Sequence, residues 1–304
     1  MTRRVAVTGA SGFIGRHLVE HLTARGTAVV GVRRPFGPQT LLETLRGADA
    51  IVHLAGVVSA LEERDYISAN VDGTRAVAEA ARSLGLPLIN ISSLAAAGPA
   101  PPRAPRSEDD PPAPINAYGR SKLGGERAIA QLDGLRWTTL RPGVVYGPRD
   151  RALLPLFRVA AAGIMPLVGR TDAAYSFIHV HDLVRAIAAA VDHPAAGDTI
   201  FAGHPHPVTT REILEGVRAA AGTRAVIIPI PMALTHAAAF AGDLAGMLRG
   251  KPAVINSRRY AELASEGFVC RVDRLRDRLG IVAEIGLEEG LAGAFAWYRS
   301  EGWL

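Results

Sequence analysis

The run Val5-Ala6-Val7-Thr8-Gly9-Ala10-Ser11-Gly12-Phe13-Ile14-Gly15 constrains this chain more than any other. Apolar residues at 5–8 read as a strand, and three glycines spaced three apart follow it. Ile14, Leu18, Val19 and Leu22 then recur at helical spacing, which predicts a helix over residues 14–25. A second apolar strand over residues 28–32 completes a strand–helix–strand unit, so the two strands are parallel. Each glycine answers a physical need. Gly9 permits a tight turn, Gly12 a close approach of backbone to pyrophosphate, and Gly15 close packing of helix on strand. The amides around Ser11, Phe13 and Ile14, together with the helix dipole, favour an anion. The turn predicts a dinucleotide site.

The second strand ends in Val32-Arg33-Arg34, where a ribose discriminator is expected. A carboxylate there accepts from the 2′-hydroxyl, whereas a guanidinium suits a 2′-phosphate. Arg33 and Arg34 therefore favour NADP(H), with NAD(H) as the alternative. A solvated basic strand end is the bland reading of the same residues. Further strands are expected over residues 50–54, 87–92 and 137–141, with helices over 70–84 and from about Tyr118. The fold class is α/β, a doubly wound parallel sheet of Rossmann type with a small C-terminal substrate-capping region. Residues 1–147 and 174–203 are assigned to the dinucleotide-binding part, and 148–173 and 204–304 to the cap. The proline-rich stretch 98–114 excludes helix and inner strand, and reads as a surface excursion over a site or as a linker.

Composition narrows the class of function. A chain of 304 residues, 48% hydrophobic, has ample core to fold without staples. Its single cysteine, Cys270, excludes a disulfide framework and a cysteine zinc site, and a cytoplasmic location is expected. The longest apolar stretch, residues 225–248, is broken by Pro229, Pro231, His236 and Asp243, which argues against stable membrane insertion. Net charge is +5, from 34 Lys+Arg against 29 Asp+Glu, with the cations dispersed. That suits an anionic cofactor, and no aromatic-plus-basic motif points to nucleic acid.

Tyr118-Gly119-Arg120-Ser121-Lys122 places a phenol and an ammonium on one helical face, about 6 Å apart. A nearby cation stabilises phenolate, so proton exchange by Tyr118 near neutral pH is expected. Upstream, Ile91-Ser92-Ser93 ends a strand, where hydroxyls would face a bound carbonyl. One such Tyr/Lys pair carries little weight; its order behind a glycine turn and a serine pair carries much more.

In that order the chain resembles an extended short-chain dehydrogenase/reductase of the NAD-dependent epimerase/dehydratase family. The matching residues are Gly9, Gly12 and Gly15; His53-Leu54-Ala55-Gly56; Asn70-Val71-Asp72-Gly73-Thr74; Ser92-Ser93; and Tyr118 with Lys122. Arg141-Pro142-Gly143-Val144-Val145-Tyr146-Gly147-Pro148 and Phe177-Ile178-His179-Val180-His181-Asp182 complete the set. The resemblance implies that Tyr118 is the general acid/base and that Ser93 hydrogen-bonds the substrate oxygen. It implies that Lys122 binds the nicotinamide ribose and lowers the Tyr118 pKa. Leu54, Ala55 and Gly56 would line the cofactor, and the backbone of Pro142, Gly143, Val144 and Val145 would lie near the nicotinamide. Asn70 is read as a buttress of the sheet, Asp182 as a cap for a helix beginning at Leu183, and His179 and His181 as packing and loop residues. No metal site is expected. A homodimer is implied by the resemblance alone.

The chain also departs from the pattern. Relatives usually carry another strand before the His-Leu-Ala segment, with an aspartate that contacts adenine. Only residues 35–48 separate Arg34 from Asp49 here, so that strand is expected to be lost or rebuilt and Asp49 to be a turn residue. Nucleotide-sugar members often place an arginine where this chain has Ala174-Tyr175-Ser176, and an Arg-Pro-Gly-Asp-like segment where it has Asn256-Ser257-Arg258-Arg259-Tyr260. Ala237, Phe240, Leu244 and Met247 recur at helical spacing, either as a core face or as a greasy substrate mouth or membrane-surface contact. An apolar pocket would suit a steroid-like or polyketide-like ketone, as in the dihydroflavonol-reductase and 3β-hydroxysteroid-dehydrogenase branches. The expected function is hydride transfer between NADP(H) and a small-molecule ketone or secondary alcohol. The alternatives are a nucleotide-sugar epimerase or dehydratase with retained cofactor, and a non-catalytic dinucleotide-binding protein.

Overall fold

Residues 2–237, 242 and 257–304 are described in the computed structural model. The first unit is as the glycine turn requires: β1 (Arg4–Thr8), α1 (Phe13–Ala24) and β2 (Ala28–Val32), with β1 and β2 parallel. The chain then crosses to the other side of β1. After α2 (Pro38–Leu45) it enters β3 (Ala50–His53), and β4 (Leu88–Ile91), β5 (Trp137–Pro142) and β10 (Asp198–Ala202) follow outward. The order is β10-β5-β4-β3-β1-β2, six strands, every neighbour parallel. The direction of winding reverses between β1 and β3, and ligands of such sheets bind in the crevice at that point.

Alternation along each strand divides the core into two layers. Val5, Val7, Val52, Ile89 and Leu140 face one side, where they pack with Leu18 and Leu22 of α1 and with α7 (Val180–Asp192). Ala6, Ile51 and Leu88 face the other, with α2, α4 (Gly73–Ser83) and Ile129 of α5 (Ala117–Ala130). A strand buried on both faces must be apolar throughout, which is why these segments read as continuous runs.

Of the two expectations for the segment after β2, a strand lost or a strand rebuilt, the structure shows the loss. Between β2 and β3 the chain makes only the loop 33–37 and α2, whose Leu41 and Leu45 are buried on the sheet. Asp49 is a turn residue: its carboxylate accepts the Arg4 amide at 2.7 Å. A second core lies around Tyr146, Phe157, Leu167, Val217, Leu291 and Tyr298. It joins β6 (Val144–Tyr146), α6 (Leu154–Ala161), β7 (Ile164–Leu167), α8 (Thr210–Ala220) and the helix Leu287–Ser300. The proline-rich stretch is stitched down rather than free. Ala100 and Arg106 donate backbone amides to Gly267 and Val269, at 3.0 and 2.9 Å, and Glu108 accepts the Phe201 amide at 2.9 Å.

A buried ion pair sets α5 against the sheet. Arg141 on β5 donates two hydrogen bonds to Glu126, at 2.9 and 2.5 Å, and both residues are buried. Removing one partner strands the other charge in a dry site. Glu126→Ala is expected to cost about 3–5 kcal/mol of stability, whereas Glu126→Leu with Arg141→Met should cost far less. Denaturant titration of the three proteins checks this. Equal losses in both variants would contradict it.

Candidate active site

Gly9 stands at φ +70° at the end of β1, and a Cβ there would lie 2.9 Å from the Ala55 amide nitrogen. Gly15 is more restricted still, since its Cβ would meet the Gly9 carbonyl oxygen at 2.2 Å and the Ala10 Cα at 2.8 Å. At Gly12, whose amide donates to Gly9 at 2.9 Å, an added Cβ would meet only that carbonyl, at 3.2 Å. Gly12 is also the N-cap of α1; no side chain caps the helix, and its first turn carries no acidic residue. The orphan amides of that turn therefore open toward the crevice with nothing to repel an anion. A pyrophosphate-bearing dinucleotide fits this cradle.

The end of β2 abuts the same loop. Thr8 pairs with Val32, and a Cβ on Gly31 would touch that of Ala10 at 3.6 Å. Arg33 and Arg34 follow directly and are exposed. On the other side of the turn, Leu54, Ala55 and Gly56 leave the end of β3. Thr8 accepts the Ala55 amide at 3.1 Å, and its hydroxyl lies 2.8 Å from Nδ1 of buried His53. His53 Nε2 is 3.1 Å from the Thr74 hydroxyl, which itself donates to the Asn70 carbonyl at 2.8 Å. Thr74 has one proton to give, so Nε2 must donate and Nδ1 must accept from Thr8. His53 is thus neutral, in keeping with burial that pushes its pKa down to about 3. It is a strut, not a ligand.

Asn70 does more than support the sheet. It lies in a single π-helical turn, Ser68–Asp72, and is buried. Its Oδ1 accepts the Val57 amide at 2.8 Å, while Nδ2 donates to the Val57 carbonyl and the Ser121 hydroxyl, both at 2.9 Å. The loop after β3 is thereby fixed to α5. Such π turns recur at functional sites, and here the turn aims one amide at two elements.

The helix α5 presents Tyr118 and Lys122 on one face. Ser93 lies two residues beyond the end of β4 and caps the short turn Leu94–Ala96, accepting the Ala95 amide at 3.2 Å. Its side chain also lies against the Tyr118 phenol and acts to lower its pKa. Ser92 is buried, and its hydroxyl has no hydrogen-bond partner among the described residues. Lys122 Nζ donates to the Ile91 carbonyl at 2.7 Å and would lie 3.8 Å from a Cβ on Gly56. Phosphate loop, Ala55, Gly56 and Lys122 therefore form one continuous wall.

The electrostatics differ from the sequence-based expectation. Burial pushes the Tyr118 phenol up to about 12, with Ser93 opposing the rise and Glu262 and Tyr66 adding to it. Burial also lowers Lys122 to about 8, against the opposing charge of Glu126. The ammonium is turned to the Ile91 carbonyl, so desolvation governs Tyr118 instead of the cation one turn away. Glu262 was not legible in the sequence: it reaches α5 across 146 positions to accept a hydrogen bond from Asn116.

Beyond the triad, Pro142 ends β5, Gly143 bridges to β6, and Val144 and Val145 follow. A side chain on Gly143 would strike the Ser176 carbonyl at 2.1 Å, which is why glycine is required at that crossing. Asp182 does not cap α7. The helix starts straight from β9 (Phe177–His179) with His179 as its N-cap, so Asp182 is already inside the first turn. Its buried carboxylate accepts the Glu284 and Ile285 amides, at 3.0 and 2.9 Å, and pairs with Arg185. His179 and His181 pack edge to face, 4.9 Å apart. No group suited to a metal occurs among the described residues, and none of their helices is long and apolar enough to cross a membrane. Phe240, Leu244, Met247 and Asn256, and the side chains of residues 257–259, lie outside the described residues.

A doubly wound sheet with a glycine-rich phosphate turn and a Ser/Tyr/Lys set at one crevice defines a nicotinamide-dinucleotide-dependent enzyme. The chain belongs to the NAD dependent epimerase/dehydratase family, whose model matches residues 5–203. It is similar to the ceramide reductase of Caulobacter vibrioides, at 31% identity over 99% of this chain and 96% of that one. It is also similar to the 2-alkyl-3-oxoalkanoate reductase of Shewanella oneidensis, at 26% identity over 94% and 84% of the two chains. Among solved structures, MoeE5 in complex with UDP-glucose and NAD aligns with TM-score 0.77 and 27% identity, covering 98% of this chain and 99% of that one. The chain is thus an NAD(P)-dependent oxidoreductase of the extended short-chain type.

Proposed function

We propose that the chain uses NADPH to reduce a ketone carried on a long apolar chain, or runs the reverse oxidation. The observation that carries this reading is the placement of the Ser93 side chain beside the Tyr118 phenol, one helical turn from Lys122 on the wall that begins at the phosphate loop. When bound, the reduced nicotinamide supplies the hydride that the carbonyl carbon accepts. Tyr118, protonated at neutral pH, gives its proton to the carbonyl oxygen, and Ser93 holds that oxygen in place. Lys122 binds the nicotinamide ribose and, as an ammonium, stabilises the tyrosinate until solvent returns the proton. Leu54, Ala55, Gly56 and the Pro142–Val145 backbone line the cofactor. We assign residues 148–173 and the described residues of 204–304 to a cap on the dinucleotide-binding part.

Two lines support an apolar substrate. Among the exposed charged side chains of the segment that packs beside α5 (Glu62, Glu63, Arg64 and Asp65), Val58, Leu61 and Ile67 are exposed apolar ones, as is Ile115 just before the N-terminus of α5. The named reductases among the relatives act on a ceramide and on an alkyl-oxoalkanoate. At the position where nucleotide-sugar members often carry an arginine, this chain has Ala174-Tyr175-Ser176.

Arg33 and Arg34 favour the 2′-phosphate. Arg33→Asp with Arg34→Ala is expected to weaken NADPH binding by about tenfold to a hundredfold, the loss of charge-assisted hydrogen bonds, and to leave NADH binding equal or better. Fluorescence titration with both cofactors checks this; an unchanged preference would sink the assignment. The function itself is tested by native mass spectrometry of the purified chain, then titration with NADPH and NADH. Reversible binding that favours NADPH is expected. Tightly retained cofactor that will not exchange would favour a nucleotide-sugar epimerase instead.

A further inference from the structure

The first turn of α5 is held from two directions. Gly119 is pressed on the Ser93-capped turn, where a Cβ would come 2.3 Å from the Ala95 carbonyl oxygen. Asn116, the N-cap, accepts the Gly119 amide at 2.7 Å through Oδ1. Tyr118 lies between these two anchors. The other end of the Asn116 amide, Nδ2, donates to Oε1 of Glu262, on the helix Ser257–Leu263. That helix is secured beyond its end. The Ser265 hydroxyl donates to the Glu262 carbonyl at 2.6 Å, and Gly267–Phe268 pairs with Ala174–Tyr175. A side-chain amide flips freely on an exposed N-cap; here both of its ends are taken, so its oxygen is committed to the helix amide.

We propose that Glu262 is a positioning residue for the reaction: through Asn116 it sets the first turn of α5, and with it Tyr118, against the Ser93 turn. This rests on the reading of Tyr118 as the proton donor. The groups that face Tyr118 among the described residues are Glu262, Tyr66 on α3 (Glu63–Ile67) and the Ser93 hydroxyl. Lys122 lies one turn along α5, occupied with the Ile91 carbonyl, and Arg120 pairs outward with Glu63. The Glu262 carboxylate opposes formation of a second anion at Tyr118, so the tie also keeps the donor in its acid form. Both effects come from the part of the chain assigned to the substrate cap.

The two effects separate by substitution. In Glu262→Gln the amide oxygen still accepts from Asn116, but the charge is gone. In Glu262→Ala the tie is lost as well. NADPH oxidation is followed against pH with a panel of long-chain 2-alkyl-3-oxoalkanoates as probe, for the wild-type chain, both variants and Tyr118→Phe. Glu262→Gln should keep kcat at neutral pH and move to lower pH the tyrosinate absorbance titration that Tyr118→Phe removes, since phenolate forms more easily. The alkaline limb of kcat itself follows Lys122, which loses its proton at about 8. Glu262→Ala should lose about tenfold in kcat, with KM for NADPH unchanged, as expected for a misplaced proton donor. Superimposable tyrosinate titrations for wild type and Glu262→Gln, with full kcat in Glu262→Ala, would overturn the proposal alone, provided that Tyr118→Phe is inactive. Full activity in Tyr118→Phe, or no turnover of the panel by the wild-type chain, would overturn the parent reading and this proposal with it. Glu262→Gln is nearly isosteric and keeps the hydrogen bond, so its titration remains decisive even if Glu262→Ala folds poorly.

Discussion

Replacing Tyr118 by phenylalanine is expected to lower kcat for ketone reduction by about 10²–10⁴-fold, the usual worth of a positioned general acid. The ring stays, and with it the packing on Tyr66, whose centroid lies 6.3 Å away. Only the hydroxyl that meets Ser93 is removed. NADPH binding should therefore be unchanged within about twofold, because uniform binding is not what the phenol contributes. Steady-state kinetics with a parallel cofactor titration reads both quantities. Loss of cofactor binding with kcat intact at saturation would place Tyr118 in the wrong role. The pH dependence has a definite sign. The phenol is held high, so reduction should run undiminished through neutrality and fall only on the alkaline side.

The second large effect concerns the phosphate turn, where two glycines are predicted to fail differently. A methyl group at Gly15 would sit 2.2 Å from the Gly9 carbonyl and 2.8–2.9 Å from Ala10 backbone atoms. Backbone cannot yield as a flexible side chain does. Gly15→Ala should therefore cost about 1–3 kcal/mol of stability through overpacking, and more than about a hundredfold in NADPH affinity as the turn moves. At Gly12 the one protein contact is 3.2 Å, a few tenths of an ångström too close. Gly12→Ala should fold nearly normally yet bind cofactor poorly, since its methyl group would fill the space that the pyrophosphate needs. Thermal unfolding alongside NADPH titration distinguishes the two. Equal binding loss at equal stability in both variants would mean that the glycines share one role.

Local rules reached much of this molecule from sequence. The strand–turn–helix at Val5–Gly15 was legible because glycine spacing and helical periodicity are properties of adjacent residues. The short path from Arg34 to Asp49 was legible against the family that the chain resembles, whose members usually carry another strand there, and the six-stranded sheet lacks that strand. Tyr118 and Lys122 fell on one face because four residues make about one helical turn. What escaped depends on topology. Glu262 reaches Asn116, Asp182 the Glu284 and Ile285 amides, and Arg141 the Glu126 carboxylate. No spacing rule joins such positions; only the fold brings them together. Lys122 shows the same limit in electrostatics. Sequence placed its charge one turn from Tyr118, but burial and the Ile91 carbonyl decide what that charge does.

The measurement that tests the central claim most directly is isotope transfer from the cofactor. The chain is supplied with NADPH deuterated at the transferable C4 position and with a long-chain 2-alkyl-3-oxoalkanoate, and the product alcohol is analysed by mass spectrometry and NMR. The account predicts one deuterium on the carbinol carbon, a single configuration there, and one equivalent of NADP⁺ released per alcohol formed. No label in the alcohol, with cofactor retained unchanged while a nucleotide sugar is interconverted, would contradict it.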